Sequence, residues 1–562
     1  MNQPQIIECV PNFSEGRNPE VIRQITAEIS SVEEVRLLDV DPGKATNRTV
    51  VTFVGSPDKV IEAAFLAIKK AAELIDMRLH SGEHPRMGAA DVCPLIPVSG
   101  ISMEETAEWA AKLAERVGKE LSIPVYLYGY AQPNTERNNL SVIRAGEYEG
   151  FFNKIGLPEW KPDFGPAVMN EKSGATVIGA RDFLIAYNVN LNSKSTRIAN
   201  RIAFDVREAG RVVREGNPYT GKIMLDDQGE PVRVPGKCKE VKAIGWYIEE
   251  YGIAQISVNL TNYKVTPLYQ LFDEVCKSAL ERGVRVTGSE LVGLIPLEAM
   301  LETGRHYLKM QQRSAGVSEL ELIHIAVKSL GLDELTPFDP NKKIIEYCMK
   351  DEQSLLMDLT CTAFSDETAS ESPAPGGGTI SAYAAALGVS LATMVANLSA
   401  AKRGWEEKWE VFSDWAEQGQ TLRKKLLYLA DEDTRSFNGI MAAFQLPNDT
   451  EAEKLHRSKV IESASIYATQ VPLEVMKTTA ASLPVIKEMV ISGNPNSITD
   501  AGVGALCSRA AIDGAFMNVK INAKGLKNRE IADRLVQEAS LIAQDSHGKI
   551  DEIIQFVESK LN

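Results

Sequence analysis

Hydrophobic and polar residues follow two different patterns along this chain of 562 residues. In the first half, short β-rich runs alternate with stretches whose apolar residues recur with the helical period. These patterns predict strands at Ile6–Asn12, Val35–Val40, Thr49–Val54 and Val125–Tyr130, and helices at Pro57–Met77 and Met103–Val117. Strands that alternate with helices are typical of a sheet with helices on one face.

The α/β pattern restarts after a loop at Trp160–Gly174. The second run predicts, in order, a strand, a helix, a hairpin and a helix at Phe183–Val189, Ser195–Ala209, Ala243–Asn259 and Pro267–Arg282. A restart of this kind indicates two α/β subdomains, which we predict at residues 1–180 and 181–330.

Strand patterns nearly vanish in the rest of the chain. The segment Gly331–Lys343 carries two prolines and mixed charge, which predicts a linker, placed at residues 331–350. Helical periodicity then continues at Ile380–Leu398, Trp405–Leu429, Thr434–Phe444, Glu451–Ser482, Asp500–Asn522 and Asn528–Leu561. The predicted fold class is therefore two α/β subdomains followed by an all-α helical domain at residues 351–562.

Composition narrows the class of protein. The chain is 44% hydrophobic and 24% charged, as in ordinary globular proteins, and its net charge of −15 disfavours nucleic-acid or anionic-membrane binding. Its most apolar stretch, Thr379–Leu398, is rich in Ala, Ser and Thr, which favours a buried helix over a membrane span. Seven scattered cysteines without C-x-x-C spacing and an N-terminus without signal-peptide character fit the cytoplasm.

A histidine among turn-forming residues is the first candidate for chemistry. Gly82 and Pro85 flank Glu83 and His84, so we expect His84 in a loop or at a strand edge, accessible to a substrate. The spacing His80-x-x-Glu83-His84 also matches an inverted zinc-protease motif, but that motif needs a regular helix, which Gly82 and Pro85 disfavour. A purely structural role in the turn remains open.

Three blocks of the first half together resemble the glutamate formimidoyltransferase family over about 325 residues. They are IIECVPNFSEGRN from Ile6, LLDVDPGKATNRTVVTFVG from Leu37 and SGEHPRMGAADVCPLIPV from Ser81. The resemblance implies that His84 is the catalytic acid/base, a role for which a group titrating near neutrality is suited. It also implies a folate-binding segment whose candidate residues are Gly165, Pro166, Gly174, Ala175 and Thr176.

The substrate implied by this resemblance, N-formimidoyl-L-glutamate, carries two carboxylates. Arginine side chains can bind a carboxylate through two parallel hydrogen bonds. The candidate substrate-binding residues are Asp39, Arg48, Arg86 and Arg181.

A glycine run opens the helical half, in the block ESPAPGGGTISAYAAALG from Glu371. Gly376, Gly377 and Gly378 allow close approach of a ligand to backbone N–H groups, or else a tight contact between helices. The block lacks the Gly-Lys-Ser/Thr of an NTP-binding loop, and no strand precedes it, which excludes the dinucleotide fingerprint.

Two aspartates in LADEDTRSFNGIMAAFQLP, from Leu429, are two residues apart and cannot share a helix face. Asp431 is four residues before Arg435, which predicts an exposed ion pair. Asp433 is four residues before Phe437, and a carboxyl group against an aromatic ring has a raised pKa that suits a proton donor. The alternative is that Asp433 only starts a helix.

A third block, GNPNSITDAGVGALCSRAAIDGAFMNVKINAKGL from Gly493, places Asp500 at a helix start and Asn518 and Asn522 one turn apart. Two amides on one face can bind the edge of a heterocycle, but they can equally bridge helices. The three blocks of the second half resemble the formimidoyltetrahydrofolate cyclodeaminase family and its cyclohydrolase relatives, over about residues 351–562. By this resemblance, Asp433 is the catalytic acid/base, and the glycine run and these three polar residues bind the folate.

One position departs from the cyclodeaminase pattern. The chain has Leu446-Pro447-Asn448 where the family pattern has Leu-Pro-Lys, so a basic contact is absent there. Other candidates for contact with an anionic folate tail are Lys402, Arg403, Lys520 and Lys524, each of which can also be an ordinary surface charge.

The two halves in this order resemble the bifunctional formimidoyltransferase-cyclodeaminase family of histidine degradation. The resemblance implies transfer of a formimidoyl group to N5 of tetrahydrofolate, then ring closure to 5,10-methenyltetrahydrofolate with release of ammonia. It implies a polyglutamylated tetrahydrofolate as co-substrate, no metal, no nucleic-acid or membrane partner, and a homo-oligomer with contacts through both halves. The alternative is that one half alone is active, with the helical domain a methenyltetrahydrofolate cyclohydrolase or an oligomerisation scaffold.

Overall fold

A computed structural model describes residues 5–44, 46–82, 85–217, 220–349 and 355–561. The chain divides into two compact units, one made of residues 1–303 and 327–350 and the other of residues 304–326 and 351–562. Among the described residues, the first unit contains a seven-stranded and a four-stranded β-sheet with helices packed on them, and a small two-stranded sheet; the second unit is helical. The predicted fold class is confirmed.

The first sheet has seven strands among the described residues, β3-β4-β1/β2-β5-β7-β6, with β1 and β2 both between β4 and β5. Strands β5, β7 and β6 are parallel, and the other pairs are antiparallel. The elements of this subdomain are β1 Ile6–Cys9, β2 Asn12–Phe13, α1 Pro19–Ser30, β3 Arg36–Gly43, β4 Arg48–Gly55, α2 Pro57–Leu74, β5 Ala90–Ser99, α3 Met103–Glu120, β6 Val125–Gly129, α4 Leu140–Arg144, α5 Glu147–Lys154 and β7 Thr176–Ala180.

Local sequence explains these boundaries. The predicted strand Ile6–Asn12 is divided into β1 and β2 because Pro11 has no N–H for the sheet, although its carbonyl still accepts from the Val51 amide at 3.0 Å. Ser102 and Glu105 form a capping box that starts α3. The apolar faces of α2 and α3 pack on the sheet around Phe53 and Leu95, which are fully buried.

The second sheet has four antiparallel strands in the order β11-β12-β8-β13, and α6 and α7 pack on it. Its face carries buried polar side chains, among them Asn190 and Gln255. The elements from here to residue 349 are β8 Ile185–Leu191, α6 Thr196–Val206, β9 Arg211–Val212, β10 Arg233–Val234, β11 Val241–Ile248, β12 Ile253–Leu260, α7 Leu268–Leu280, β13 Val286–Val292, α8 Leu297–Met310, α9 Glu319–Leu330, α10 Pro340–Lys343 and α11 Ile345–Cys348.

The segment predicted as a linker differs from that prediction. The described part of residues 331–350 belongs to the first unit, where Ile344 and Ile345 are buried and the Ile345 amide donates to the Ile295 carbonyl at 3.1 Å. Residues 304–326, predicted within the second subdomain, belong instead to the helical unit. In residues 331–350, the burial of Ile344 and Ile345 outweighs the loop-like composition of the segment.

The helical unit is a bundle of long helices, α13 to α17, after a short α12. Its elements are α12 Cys361–Thr368, α13 Gly377–Ala400, α14 Trp409–Phe444, α15 Glu451–Ser492, α16 Ile498–Lys524 and α17 Arg529–Leu561. Helix α13 packs against α14 and α16, and small residues allow this closeness: a methyl group at Gly388 would lie 2.8 Å from the Gly504 carbonyl oxygen. Two buried apolar clusters fill the bundle.

Two helices of this unit refine the sequence predictions. Helix α14 is continuous where the pattern predicted two helices, so Asp433 lies in its interior and is not a helix start. Helix α13 is the one helix of the described chain that is long and apolar enough to cross a membrane, with a mean hydropathy of 1.6 in its most apolar window. That window is 61% buried in the bundle, as expected for a core helix.

Candidate active sites

Close backbone contacts are made by the residues just before and just after the predicted catalytic histidine. His84 itself, with Glu83, lies outside the described residues. On one side of them, a methyl group at Gly82 would lie 2.3 Å from the Thr46 carbonyl oxygen, so only glycine fits. On the other side, the Met87 carbonyl accepts from the Ala175 amide at 3.2 Å, which joins this loop to the predicted folate-binding segment.

The structure divides the predicted folate-binding residues into two groups. Gly165 and Pro166 are exposed, and Gly165 has a positive φ of 81° against the Ile123 carbonyl, a conformation that favours glycine. Gly174 bridges to Gly88 beside the histidine loop, and Ala175 and Thr176 are buried next to it. The hydroxyl groups of Ser173 and Thr176 are buried and have no hydrogen-bond partner among the described residues. Only the second group therefore adjoins the histidine loop.

Asp91 is the centre of a buried ion-pair network that sequence analysis missed. The carboxylate, at the start of β5, accepts from the Met87 amide at 2.9 Å, Arg48 Nη1 at 3.0 Å and Arg144 Nη2 at 2.7 Å. Arg48 Nε also donates to Asn12 Oδ1 at 3.0 Å. Burial lowers the pKa of Arg48 to about 10. Arginine side chains in such a position are of the type that binds a carboxylate.

Arg86 differs from its predicted role in substrate binding. Its guanidinium donates to Glu149 at 2.6 and 2.9 Å, to Glu147 at 3.0 Å, and to the carbonyl oxygen and Nδ1 of His80, both at 3.3 Å. These contacts use all of the N–H donors of the guanidinium, and the two glutamates lie in the first turn of α5. Arg86 therefore connects the loop that carries the predicted catalytic histidine to α5.

Both ring nitrogens of His80, which belongs to the inverted zinc-protease spacing, have hydrogen-bond partners within the chain. Its Nε2 lies 2.9 Å from the Asn47 carbonyl oxygen, which can only accept, so Nε2 carries the hydrogen and Nδ1 accepts from Arg86. Neither ring nitrogen of His80 is left for a metal ion. Among the described residues, no cluster of three or more metal-ligating side chains occurs.

The two remaining predicted substrate residues have partners other than Asp91. Arg181 follows β7, donates to the Asp182 carbonyl at 2.9 Å and interacts with the buried Glu8 of β1. Asp39 lies on β3, where burial raises its pKa and the charge of Lys343 opposes that rise. The structure therefore does not gather the four candidates into one cluster.

In the helical unit, Asp433 of α14 lies against the glycine run at the start of α13. Its Oδ2 accepts from Thr379 Oγ1 at 2.9 Å, and the Thr379 amide also donates to the carboxylate. A methyl group at Gly378 would lie 2.3 Å from Asp433 Oδ1, so a side chain there would displace the carboxylate. Burial raises the pKa of Asp433, and the bonds from Thr379 oppose the rise in part. The group is therefore suited to holding a proton.

Asn518 of α16 completes this pocket. Its amide nitrogen donates to the Gly514 carbonyl at 2.9 Å and would lie 3.3 Å from a methyl group at Gly377. Thus α13, α14 and α16 each contribute a polar group or a glycine to one place. Gly376 lies at the edge of the pocket, where a methyl group would meet only the Pro373 carbonyl, at 4.0 Å.

The other two residues of the third block lie elsewhere. Asn522 donates to the Ala468 carbonyl of α15 at 2.9 Å, so it bridges two helices. Asp500 stands 18 residues before Asn518 on the same helix, a separation of about 27 Å at 1.5 Å per residue. The two therefore cannot bind one small group within a single chain.

Asp431 is buried, not exposed as predicted. Its Oδ1 accepts from the Met357 amide at 3.3 Å, and the Leu356 amide also donates to it. Arg435, its predicted partner, instead forms an ion pair with Glu432 at 2.8 Å. The prediction failed because the pattern of α14 alone does not show that a distant segment, residues 356–358, packs over this face.

The α/β unit and the helical unit each contain their own candidate site, around Asp91 in the first and around Asp433 in the second, as a bifunctional enzyme requires. Family models match along the chain: "Formiminotransferase domain, N-terminal subdomain" at residues 6–181, "Formiminotransferase domain" at 186–350 and "Formiminotransferase-cyclodeaminase" at 360–541. The formimidoyltransferase-cyclodeaminase of Rattus norvegicus is 42% identical, with 95% of this chain and 97% of that protein aligned. The chain belongs to the formimidoyltransferase-cyclodeaminase family, as the sequence blocks predicted.

Relatives of each half also exist as shorter proteins. A glutamate formimidoyltransferase of Thermoplasma acidophilum is 42% identical over 54% of this chain and 93% of its own length. A methenyltetrahydrofolate cyclohydrolase of Methylorubrum extorquens is 33% identical over 36% of this chain and 98% of its own length. The second match bears on which reaction the helical unit performs.

Proposed function

We propose that this chain transfers the formimidoyl group of N-formimidoyl-L-glutamate to N5 of tetrahydrofolate and then closes the ring to 5,10-methenyltetrahydrofolate, with release of ammonia, in histidine degradation. The observation that carries the proposal is the pocket of Asp433, Gly378 and Asn518, a buried proton donor against glycine backbone in a chain that also carries the transferase half. One chain then carries a candidate site for each of two consecutive reactions, the transfer of the formimidoyl group and the closure of the ring.

In the transfer step, N5 of the carrier bonds to the amidine carbon and a tetrahedral intermediate forms. The bond from that carbon to the glutamate nitrogen then breaks, and the proton lost by N5 goes to this nitrogen. We assign the proton transfer to His84, since a histidine titrating near neutrality can both accept and return it.

Arg48 and Arg144 are the proposed ligands of a substrate carboxylate. Both arginines bind Asp91, whose carboxylate also accepts from the amide of Met87, three residues from His84 in the sequence. This replaces Arg86, whose donors are all in use. We expect Arg144→Gln to raise KM for formimidoylglutamate about 10- to 100-fold with a smaller change in kcat.

In the second step, N10 bonds to the formimidoyl carbon and loses its proton, and the formimidoyl nitrogen leaves as ammonia after protonation. Asp433 supplies that proton, for which its raised pKa is suited. The second candidate reaction for this unit is hydrolysis of methenyltetrahydrofolate, favoured by the match to the bacterial cyclohydrolase.

One experiment separates these functions. The chain is incubated with formimidoylglutamate and tetrahydrofolate, and glutamate, ammonia and methenyltetrahydrofolate are followed separately. Equal yields of all three support the full proposal. Glutamate without ammonia leaves only the transferase, and loss of supplied methenyltetrahydrofolate without ammonia identifies a cyclohydrolase.

We also propose a homo-oligomer in the cytoplasm, with a subunit contact in each half and a polyglutamylated folate as carrier. Helices α13 and α16 support the contact in the helical half, because Leu387, Val503 and Leu506 are each 46 to 52% exposed near the Gly388–Gly504 crossing. All seven cysteines are free thiols, which fits a reducing compartment. A species of 61.6 kDa in sedimentation at micromolar concentration would overturn the oligomer.

A further inference from the structure

A lysine of the first unit binds the end of the helix that carries Arg144. Helix α4 ends at Arg144. The ammonium group of Lys154, the last residue of α5, donates to three carbonyl oxygens at this end: those of Val142 at 3.1 Å, Ile143 at 2.8 Å and Ala145 at 3.0 Å. An ammonium group has three N–H donors, so these bonds use all of them. Lys154 therefore holds the backbone on both sides of Arg144.

The charge of Lys154 is compensated by carbonyl groups and aromatic rings. Its Nζ lies 3.6 Å from the centre of the Trp160 ring and 4.8 Å from the centre of the Phe151 ring. Burial lowers the pKa of Lys154 to about 8, so the group is still charged at pH 7. Burying a charge is costly unless other groups compensate it, and carbonyl groups at the end of a helix favour a cation. Lys154 is therefore bound specifically at the end of α4.

Helix α4 is too short to fix the position of Arg144 by itself. It has five residues, and helices shorter than about 12 residues are marginally stable when isolated. Ile143 is buried, but the Ala145 amide closes the last turn only through a long bond of 3.4 Å to the Val142 carbonyl. The position of Arg144 therefore depends on bonds from outside the helix, and Lys154 supplies them at this end.

Arg144 requires a fixed position because it belongs to a buried site. Its Nη2 donates to Asp91 Oδ2 at 2.7 Å, and its Nε is buried without an acceptor among the described residues. At the start of α5, Glu147 and Glu149 bind Arg86, which lies in the loop of the predicted catalytic histidine. Helix α5 thus binds this loop at its first turn and the end of α4 at its last residue.

We propose that Lys154 is a positioning residue for Arg144: it holds the end of α4 so that the Arg144 guanidinium can bind the substrate carboxylate beside Asp91. The part that concerns the substrate rests on the proposed function, in which Arg144 binds that carboxylate; the bonds from Lys154 to α4 do not. Lys154 acts through Arg144 and not on the reacting atoms. Loss of its ammonium group should therefore weaken the binding of formimidoylglutamate and leave the chemical step unchanged.

The test combines the kinetics of glutamate release with hydrogen exchange of α4 in the full-length chain. Lys154→Met removes the ammonium group and keeps the length of the side chain, and Lys154→Arg keeps a cation. We expect Lys154→Met to raise KM for formimidoylglutamate about 5- to 20-fold, to change kcat by less than about 2-fold, and to speed exchange in α4. Lys154→Arg should restore part of both effects.

Lys112→Met is the matched control. Lys112 also lies on a tryptophan ring, with Nζ 3.9 Å from the centre of Trp109, but it is exposed on α3. This variant should keep the wild-type KM and the wild-type exchange of α4. Where Lys154→Met does not fold, as melting would show, Lys154→Gln, which keeps one donor group, is compared in its place.

Combination with Arg144→Gln shows whether the effect passes through Arg144. In that background Lys154→Met should raise KM no further. An equal rise of KM in both backgrounds, an unchanged KM in Lys154→Met, an equal effect of Lys112→Met, or unchanged exchange in α4 overturns the proposal.

Failure of the proposed function gives a different result. If Arg144→Gln keeps the wild-type KM, or if the wild type releases no glutamate, the role of Arg144 or the reaction itself was assigned wrongly. The exchange of α4 then decides alone whether Lys154 positions Arg144: faster exchange in Lys154→Met than in Lys112→Met supports it, and equal exchange overturns it.

Discussion

Two aspartates of α14, two residues apart, show how position sets the role of a carboxylate. Asp433 meets the glycine run of α13, and Asp431 accepts backbone amides of residues 356 and 357. Burial raises the pKa of both groups. Asp433 lies against the glycine backbone at the start of α13, whereas Asp431 binds the segment at residues 356–358, so the two substitutions should have different consequences.

Asp433→Asn should lower ammonia release from supplied 5-formimidoyltetrahydrofolate by about 100- to 10,000-fold while the fold is kept. The raised pKa also means that the wild-type rate should fall as pH rises through it, because the acid form is lost. The residual rate of the variant should lack this fall. Asp414→Asn, an exposed position on the same helix, is the control. A wild-type rate in Asp433→Asn rejects the assignment.

Asp431→Ala should lower stability, because the amides of residues 356 and 357 lose their acceptor. An unpaired buried group costs about 1–3 kcal/mol, and Asp431→Asn, which keeps an oxygen, should cost less. Calorimetric melting of the full chain measures both. A melting temperature unchanged in Asp431→Ala would show that the capping contact contributes nothing.

Glu8 should make the stability of the first unit depend on pH. Burial raises its pKa to about 8, and the charge of Arg181 opposes the rise. Between pH 4.5 and 8 the folded chain holds a proton that the unfolded chain releases, so stability falls as pH rises through this window. The unfolding free energy should fall by at most about 1.4 kcal/mol per pH unit for this reason, and Glu8→Gln should remove that dependence. Melting curves at three pH values that stay parallel to those of wild type would contradict this.

At the scale of elements, the helical site depends on how closely α13 and α14 approach. Gly378→Ala would place a methyl group against Asp433 Oδ1, while Gly376→Ala, two residues earlier, has open space. We expect the first variant to lose ring closure by at least about 100-fold and the second to keep it. Transferase activity, measured on the same samples, shows whether either variant is unfolded. Equal activities would mean that the carboxylate moves aside without consequence.

Sequence patterns predicted most elements, because the helical and strand periods are local. They failed where distant segments decide the outcome. Asp91, Arg48 and Arg144 come from three separated segments, and only Arg48 was a candidate. Asp91 lies in the block that begins at Ser81, as a charge among apolar residues at a strand start, whereas nothing local distinguishes Arg144. Likewise, Arg86 sits in a distinctive motif, but its partner Glu149 is 63 residues away.

At the scale of the whole molecule, the two proposed reactions belong to different folded units. His84→Ala should therefore lower glutamate release by about 100- to 10,000-fold and leave ammonia release from supplied 5-formimidoyltetrahydrofolate near the wild-type rate. Asp433→Asn should give the reverse pattern. Parallel loss of both activities in a folded His84→Ala chain would show that the units do not act separately.

The path of the chain through its two units also has a consequence for cutting it. The chain enters the helical unit at residue 304, returns to the first unit at 327, and leaves again after 350. A single proteolytic nick after residue 349 would leave residues 304–326 built into the helical unit while their flanks stay in the first. The two fragments would stay associated through residues 304–326. To obtain either unit alone, this insert must be removed or replaced, because a single cut does not separate the units.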